Sequence, residues 1–149
     1  MRNAEDNVIV VKSKAFAIRC IKLRKYLCDE KGEYDISRQL LRSGTSIGAN
    51  VKEALRGQTR PDFGSKMNIA LKEASESEYW IELLGESEYL TKPMAESLHA
   101  DCEELIKLLM SIVKSVFSTD DNCSEEENSY YSNIGNNTRN FELESNYEL

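Results

Sequence analysis

Histidine occurs only once in the sequence, as His99, and proline only twice. A chain with one histidine lacks the histidine pairs typical of many metal and acid–base sites. It also has no glycine-rich phosphate loop, and no arrangement of serine, cysteine and histidine indicates a nucleophile with its base. The spacing Glu96-x-x-His99 is one copy of a motif that di-iron bundles use twice. We therefore predict no enzymatic activity, no cofactor and no bound metal; a metal-dependent enzyme using Glu96 and His99 is the alternative.

Long hydrophobic runs and paired cysteines are also missing. The N-terminal region has four consecutive apolar residues at 8–11, against about 7–15 in a signal-peptide core and about 20 in a membrane span. We therefore expect a cytoplasmic protein without a membrane partner. No pair of cysteines has the short gap of a zinc knuckle. Three of the four, Cys20, Cys28 and Cys102, lie in helical patterns, where we expect them to be small apolar core residues. The fourth, Cys123, lies outside these patterns.

Positive charge is concentrated in the first half of the chain, although the net charge is −7. Residues 8–60 contain 12 Lys and Arg against 5 Asp and Glu, whereas residues 61–118 contain 5 against 11. Residues 119–149 contain 1 against 8, together with seven Asn. An acidic total therefore does not exclude a basic face on the first half.

Apolar residues recur with helical spacing in four segments, and no strand pattern competes. The first predicted helix covers about residues 8–31, and the second runs from Asp35 or Ser37 to about 58. The third covers about 61–90 and the fourth 93–118. Short breaks between them predict an all-α, antiparallel up-down-up-down four-helix bundle over residues 1–118. The acidic, Asn-rich residues 119–149 lack periodicity, and we predict a disordered tail there.

Local residue types predict how the helices begin and how two of them approach. Asp35 or Ser37 is expected to be the N-cap of the second helix, and Thr59 that of the third. Gly44 and Gly48 lie four residues apart within the second helix. Because glycine costs helix stability, this pair predicts a close backbone approach by another helix.

A polar stripe follows one side of the second helix. It contains Ser43, Ser46, Asn50 and Glu53, at steps of three, four and three residues. Such a stripe fits either a ligand site or a hydrogen-bonded network inside the fold or between subunits. We favour a network, with a subunit interface as its place.

The polar stripe and the helix after it resemble the 23S rRNA intervening-sequence protein family, over about residues 8–118. The pattern is S-x-x-S-I-x-x-N-x-x-E, then D-F and A-x-K-E-A. The matching residues are Leu40, Ser43, Ser46, Ile47, Asn50, Val51, Glu53, Asp62, Phe63, Ala70, Lys72, Glu73, Ala74, Glu76, Tyr79, Trp80 and Leu84.

This resemblance implies a four-helix bundle that assembles into a ring-shaped homopentamer. A related branch is the accessory variability protein of diversity-generating retroelements. In that branch a pentamer binds a reverse transcriptase and template RNA through a positive surface. RNA or a reverse transcriptase-like nucleoprotein is thereby implied as a partner, besides further copies of this chain.

The basic first half has two interpretations. Its cations pair with acidic helices of the same bundle or of a neighbour, or they contact phosphates. We predict a non-enzymatic module that binds RNA or a nucleoprotein partner; the alternative is a homo-oligomeric protein-binding scaffold without nucleic-acid contact. The candidate nucleic-acid-binding residues are Arg19, Lys22, Lys25, Arg38, Arg42, Arg56 and Arg60.

Overall fold

The computed structural model describes residues 7–118, which form four α-helices and contain no β-strand. Helix α1 continues into a π-helical turn, Leu27–Lys31. The all-α prediction is thereby confirmed, while the predicted tail at 119–149 lies outside the described residues and stays a prediction. The helices are α1 (Val8–Tyr26), α2 (Asp35–Ala54), α3 (Arg60–Glu86) and α4 (Lys92–Phe117).

Threonine caps begin α3 and α4. The Thr59 hydroxyl accepts a hydrogen bond from the Asp62 N–H at 3.3 Å, and the Thr91 hydroxyl accepts one from the Met94 N–H at 3.4 Å. A proline stands in the first turn of each helix, where its missing N–H costs nothing. The predicted cap at Thr59 is confirmed.

The start of α2 differs from the prediction. Asp35 and Ser37 already lie inside the helix, so the prediction that one of them is the N-cap is wrong. Glu33 takes that role: its buried carboxylate accepts hydrogen bonds from the N–H groups of Asp35, Ile36 and Ser37 at 3.0, 2.7 and 2.8 Å. Gly32, at φ 62°, turns the chain so that this carboxylate lies under the first turn.

Hydrogen bonding at the α2 N-terminus also sets the acidity of Glu33. Burial by itself raises the pKa of the Glu33 carboxyl. The hydrogen bonds from Ser37, Ile36 and Asp35 together outweigh burial and lower that pKa below its usual value. The capping carboxylate is therefore held in its charged form, which also suits the positive end of the helix dipole.

Two helices end earlier than the sequence predicts. Helix α2 ends at Ala54, four residues before Gln58, because the next N–H groups bond three residues back, as in Gly57 N–H to the Ala54 carbonyl at 3.0 Å. Helix α3 ends at Glu86. There Glu88 takes a φ of 64°, and the N–H groups of Tyr89 and Leu90 turn back to the Leu84 carbonyl at 3.0 and 3.1 Å.

The core lies along the predicted apolar seams. Helix α2 packs extensively against both α1 and α3, α3 also packs against α4, and α1 meets α4 only along a narrow seam. Burial of these aliphatic and aromatic side chains is the main source of stability. The fully buried large side chains include Phe16, Leu27, Leu40, Ile47, Met67, Ile81, Leu84, Leu105 and Leu109.

The two helical glycines allow α1 to approach α2, as predicted. A Cβ placed on Gly44 would overlap the Cys20 sulfur and lie 3.2 Å from the Cys20 Cβ. A Cβ placed on Gly48 would lie 3.4 Å from the Ser13 hydroxyl oxygen, which is an ordinary contact distance. Gly44 is therefore the position with less room for a side chain, whereas at Gly48 the α1 backbone comes close, with the Ser13 carbonyl group 3.6 Å from such a Cβ.

Cys20 and Cys102 are small core residues. Both are buried, and burial raises the pKa of each thiol to about 12. The Cys102 thiol donates to the Ala74 carbonyl at 3.2 Å. Both thiols therefore stay protonated at neutral pH, and the prediction that they fill the core is confirmed.

Candidate nucleic-acid interface

Helix α1 carries only positive charge. Residues 8–26 contain six Lys and Arg and no Asp or Glu. Two of these cations face α4: the Lys12 Nζ lies 2.6 Å from a Glu104 carboxylate oxygen, and an Arg19 guanidinium nitrogen lies 2.6 Å from one of Asp101. Arg19 also donates to the Ser97 hydroxyl and carbonyl oxygens at 3.0 and 3.3 Å. Arg19 therefore follows the interpretation in which basic residues pair within the bundle.

Three other α1 lysines lie on the outer side of the helix. Lys14, Lys22 and Lys25 are exposed, and none of them has an ion-pair partner among residues 7–118. At about 100° per residue, Lys14 and Lys25 lie within about 20° of each other around the helix, and Lys22 lies at the edge of the same side. These cations are therefore available to an external anion.

Exposed aliphatic side chains share this side of α1. Val11, Ile18 and Ile21 are 52%, 43% and 54% exposed. The sequence pattern indicated that Ile18 and Ile21 widen the core seam, but their exposure shows that they point away from it. The outer side of α1 therefore combines lysines with aliphatic groups.

Helix α2 adds cations to its own outer side. Arg38 and Lys52 are 14 residues apart in α2 and lie within about 40° of each other around the helix. Arg56 follows in the turn after Ala54. All three are exposed and without an ion pair in the described part of the chain. We call the set Lys14, Lys22, Lys25, Arg38, Lys52 and Arg56 the α1–α2 basic face.

Arg24 links the two helices where they are joined. Its guanidinium donates to the Tyr34 carbonyl and to the Ser37 hydroxyl, both at 3.0 Å. The last turns of α1 therefore lie beside the first turn of α2. As a result, Lys25 and Arg38 belong to the same end of the basic face, whereas Lys52 belongs to the other end, about 21 Å from Arg38 by helical rise.

Arg42 and Arg60 make contacts inside the bundle. Arg42 pairs with Glu76 and lies 3.7 Å from Glu73, both on α3. The hydrogen bond from Arg42 lowers the pKa of the Glu76 carboxyl. Arg60 donates to the Ser115 carbonyl at 3.2 Å and so ties the start of α3 to the end of α4.

The structure therefore divides the seven predicted cations. Arg19, Arg42 and Arg60 have partners in the fold; Lys22, Lys25, Arg38 and Arg56 do not, within residues 7–118. Lys14 and Lys52 were missed by the sequence analysis. The signal that identifies them is helical spacing, from Lys14 to Lys25 in α1 and from Lys52 to Arg38 in α2.

The polar stripe of α2 lies beside α3, but its members do not converge on one point. The hydroxyl oxygens of Ser43 and Ser77 are 2.8 Å apart in the core. Ser46 and Asn50 donate to carbonyls one turn back in α2, at 2.7 and 2.8 Å. Glu53 pairs with Lys66 of α3 at 2.7 Å. Ser43 thus belongs to a network inside the fold, and a subunit-interface role for the stripe stays a prediction.

Glu96 and His99, the sequence-based alternative for a metal site, turn to different neighbours. Glu96 lies 3.9 Å from the Lys92 ammonium within α4. The His99 Nε2 lies 3.1 Å from a Glu78 carboxylate oxygen on α3. The two residues therefore do not form a site together.

Comparison with known proteins identifies the family. The model of the family described as 23S rRNA-intervening sequence protein matches residues 5–111, well over half of the chain. The chain belongs to this family. The match to the 23S rRNA-intervening sequence protein family covers α1, α2, α3 and most of α4. It therefore includes every residue of the basic face.

A solved structure supports the same assignment. It is the crystal structure of a protein of unknown function from the S23 ribosomal protein family of Bacteroides thetaiotaomicron. The two chains are 53% identical and align with a TM-score of 0.71, over 72% of this chain and 99% of the other. No curated protein matches the chain significantly. Within residues 7–118, no helix has the length and apolar content needed to cross a membrane.

Proposed function

We propose that this protein is a non-enzymatic, oligomeric helical module that binds RNA, alone or within a nucleoprotein, through the α1–α2 basic face. The observation that supports it is the division of positive charge on α1. Lys12 and Arg19 pair with acidic residues of α4. Three other cations, Lys14, Lys22 and Lys25, lie on the outer side of α1 and have no acidic partner among residues 7–118. Unpaired cations on an exposed helix side attract phosphates, because binding releases the counterions condensed on the nucleic acid.

The arrangement of the helices and of the subunits is part of this proposal. Gly44 faces Cys20, and Gly48 faces Ser13, so residues later in α2 meet residues earlier in α1. This progression supports an up-down-up-down arrangement. The family resemblance supports a ring-shaped homopentamer, which would repeat the basic face in every subunit and add weak RNA contacts by multivalency.

A cytoplasmic location and the role of the acidic residues 119–149 belong to the same proposal. With a charge balance of −7, that segment would compete with RNA for the basic face, or repel RNA from it. Both effects are electrostatic and are screened as the salt concentration rises, so they lower the RNA affinity of the full chain most at low salt.

A protein-binding scaffold is the second candidate function. The observation that favours it is the exposure of Ile18 and Ile21, at 43% and 54%, on the same side of α1. Exposed aliphatic groups rimmed by charged ones are typical of protein–protein contacts. In that case the lysines would orient a protein partner or a neighbouring subunit instead of holding phosphates.

The two functions predict different binding experiments. We would titrate a fluorescent, structured RNA with the full chain at 50 and 200 mM salt. RNA binding through the basic face predicts measurable affinity at low salt and a loss of about tenfold or more at the higher salt, for several phosphate contacts. The variant Ile18→Ser/Ile21→Ser retains this binding if the lysines carry it. Absence of RNA binding at 50 mM salt would leave the scaffold as the better account.

A further inference from the structure

Three side chains that bind metals well meet on the surface between α3 and α4. Glu78 and Glu82 lie one turn apart on α3, and His99 reaches them from α4. The His99 Nε2 lies 3.1 Å from a Glu78 oxygen and 3.9 Å from a Glu82 oxygen. All three donor atoms lie within 4.8 Å of one another.

The charges around this group differ from those at the other contacts between helices. Glu53, Glu104 and Asp101 each pair with a lysine or arginine of another helix. Within residues 7–118, Glu78 and Glu82 have only the imidazole of His99 as a cationic partner. Neither carboxylate pairs with a lysine or arginine in that part of the chain. Burial, and then the Glu78 charge, raise the pKa of Glu82.

We propose that Glu78, Glu82 and His99 bind a divalent transition-metal ion of the zinc type, with water completing the coordination. Carboxylate oxygens and a neutral imidazole nitrogen are established zinc ligands. Bonds of about 2.0–2.1 Å in a tetrahedron place ligand atoms about 3.3 Å apart. The observed separations of 3.1–4.8 Å reach that value by small rotations of partly exposed side chains. The ion would link α3 to α4 and is independent of the RNA-binding proposal.

Magnesium and calcium fit this group less well. Both prefer six or more oxygen ligands, and an imidazole nitrogen is a poor substitute. A nitrogen with two carboxylates suits zinc, cobalt or nickel, which accept mixed ligands at low coordination number. Selectivity for zinc over magnesium is therefore part of the inference.

Calorimetric titration of the full chain with zinc chloride at pH 7.5 tests the proposal. We expect one zinc ion per chain, no heat from magnesium chloride, and affinity lowered by more than about tenfold in His99→Gln and in Glu82→Gln, since even outer-shell changes cost 10–100-fold. Glu96→Gln is the matched control, because it removes the same charge one turn from His99 and should bind zinc as tightly as the wild type.

Two further readouts separate this site from cysteine ligation and from misfolding. Cobalt(II) bound to the wild type should give the visible bands of a tetrahedral ion without a sulfur-to-cobalt charge-transfer band. Zinc should raise the Tm of the wild type and of Glu96→Gln but not that of His99→Gln, whose helical circular dichroism should match the wild type. Failure of the wild type to bind zinc at micromolar concentrations, or binding unchanged in both His99→Gln and Glu82→Gln, would overturn the proposal.

Discussion

The hydroxyl oxygens of Ser43 and Ser77 lie 2.8 Å apart in the core, where α2 meets α3. Both side chains are fully buried, and each also contacts a carbonyl of its own helix: Leu40 at 3.4 Å and Glu73 at 2.8 Å. A buried polar pair that satisfies its own hydrogen bonds fixes which faces of two helices meet. The serine in the polar stripe of α2 thus contributes to the fold.

The Ser43–Ser77 contact predicts non-additive mutations. We expect Ser43→Ala and Ser77→Ala each to lower the free energy of unfolding by about 1 kcal/mol, because each leaves the other hydroxyl with fewer partners. The double variant should cost less than the sum of the two, by at least about 0.5 kcal/mol. Urea denaturation of the four proteins measures this coupling. Strictly additive losses would show that the two hydroxyls do not interact.

Replacement by alanine should have opposite effects on stability at Gly44 and at Gly48. Gly44→Ala should destabilise the protein by about 1–2 kcal/mol, because its methyl group overlaps the Cys20 sulfur and the helices must separate. Gly48→Ala should be neutral or stabilising by up to about 1 kcal/mol, since its methyl group has room and alanine favours the helix. Thermal unfolding of both variants checks the prediction, and equal Tm changes would contradict the difference in available space between the two positions.

Glu33 predicts a pH-dependent contribution to stability. Its pKa is lowered in the folded state, so its contribution is complete above the unfolded pKa of about 4.3 and is lost as the pH falls through the folded pKa. Glu33→Gln should therefore cost about 1–2 kcal/mol at pH 7, and the difference from wild type should shrink as the pH falls below about 4.3 and through the lowered folded pKa.

Glu30→Gln is the control for this prediction. Glu30 is an exposed carboxylate of the neighbouring π-helical turn, and its loss should change stability by less than about 0.5 kcal/mol. Denaturation curves of the two variants and the wild type between pH 3 and 7 separate the capping carboxylate from the general effect of charge. A Glu33→Gln cost that stays constant over this range would contradict the capping account.

The oligomeric state is a further prediction. Each chain has a mass of 17.0 kDa, and we expect a particle of five chains in light scattering at micromolar concentration. The apolar surface of α3 and α4 is wider than the core needs, with Trp80 and Leu83 half-buried and Tyr79 54% exposed, and it supplies surface for a subunit contact. Detection of a 17.0 kDa monomer under those conditions would rule out the assembly that the family resemblance implies.

Residues that repeat along one helix were predictable from the sequence. Phe16, Met67 and Leu105 are buried because they fall on seams with a period of 3.6 residues. Contacts between distant segments were not predictable in this way. Arg19 meets Asp101 across 82 positions of sequence, and only the packing of α1 on α4 shows that this cation is already neutralised.

Local turn geometry was the other limit of sequence reasoning. Asp35 and Ser37 have the residue types of N-caps, yet Glu33 caps α2 because Gly32 reverses the chain just before it. The spacing of Glu96 and His99 indicated a pair, but the His99 imidazole lies against Glu78 of α3. In both cases the residue type was informative, while its partner depended on the three-dimensional path of the chain.

RNA binding by the cations that the fold leaves unpaired predicts that reversing their charge lowers the RNA affinity. It is tested most directly by the salt dependence of RNA affinity in Lys22→Glu/Lys25→Glu, compared with Lys72→Glu/Lys92→Glu. Both double variants have the same net charge, but Lys72 and Lys92 lie on α3 and α4 and not on the two helices that carry Lys22 and Arg38. We predict that the first variant loses at least about tenfold in affinity at 50 mM salt and that its slope of log affinity against log salt becomes shallower by about one unit or more, while the second stays close to wild type. Equal losses in the two variants would contradict a binding site on the α1–α2 basic face.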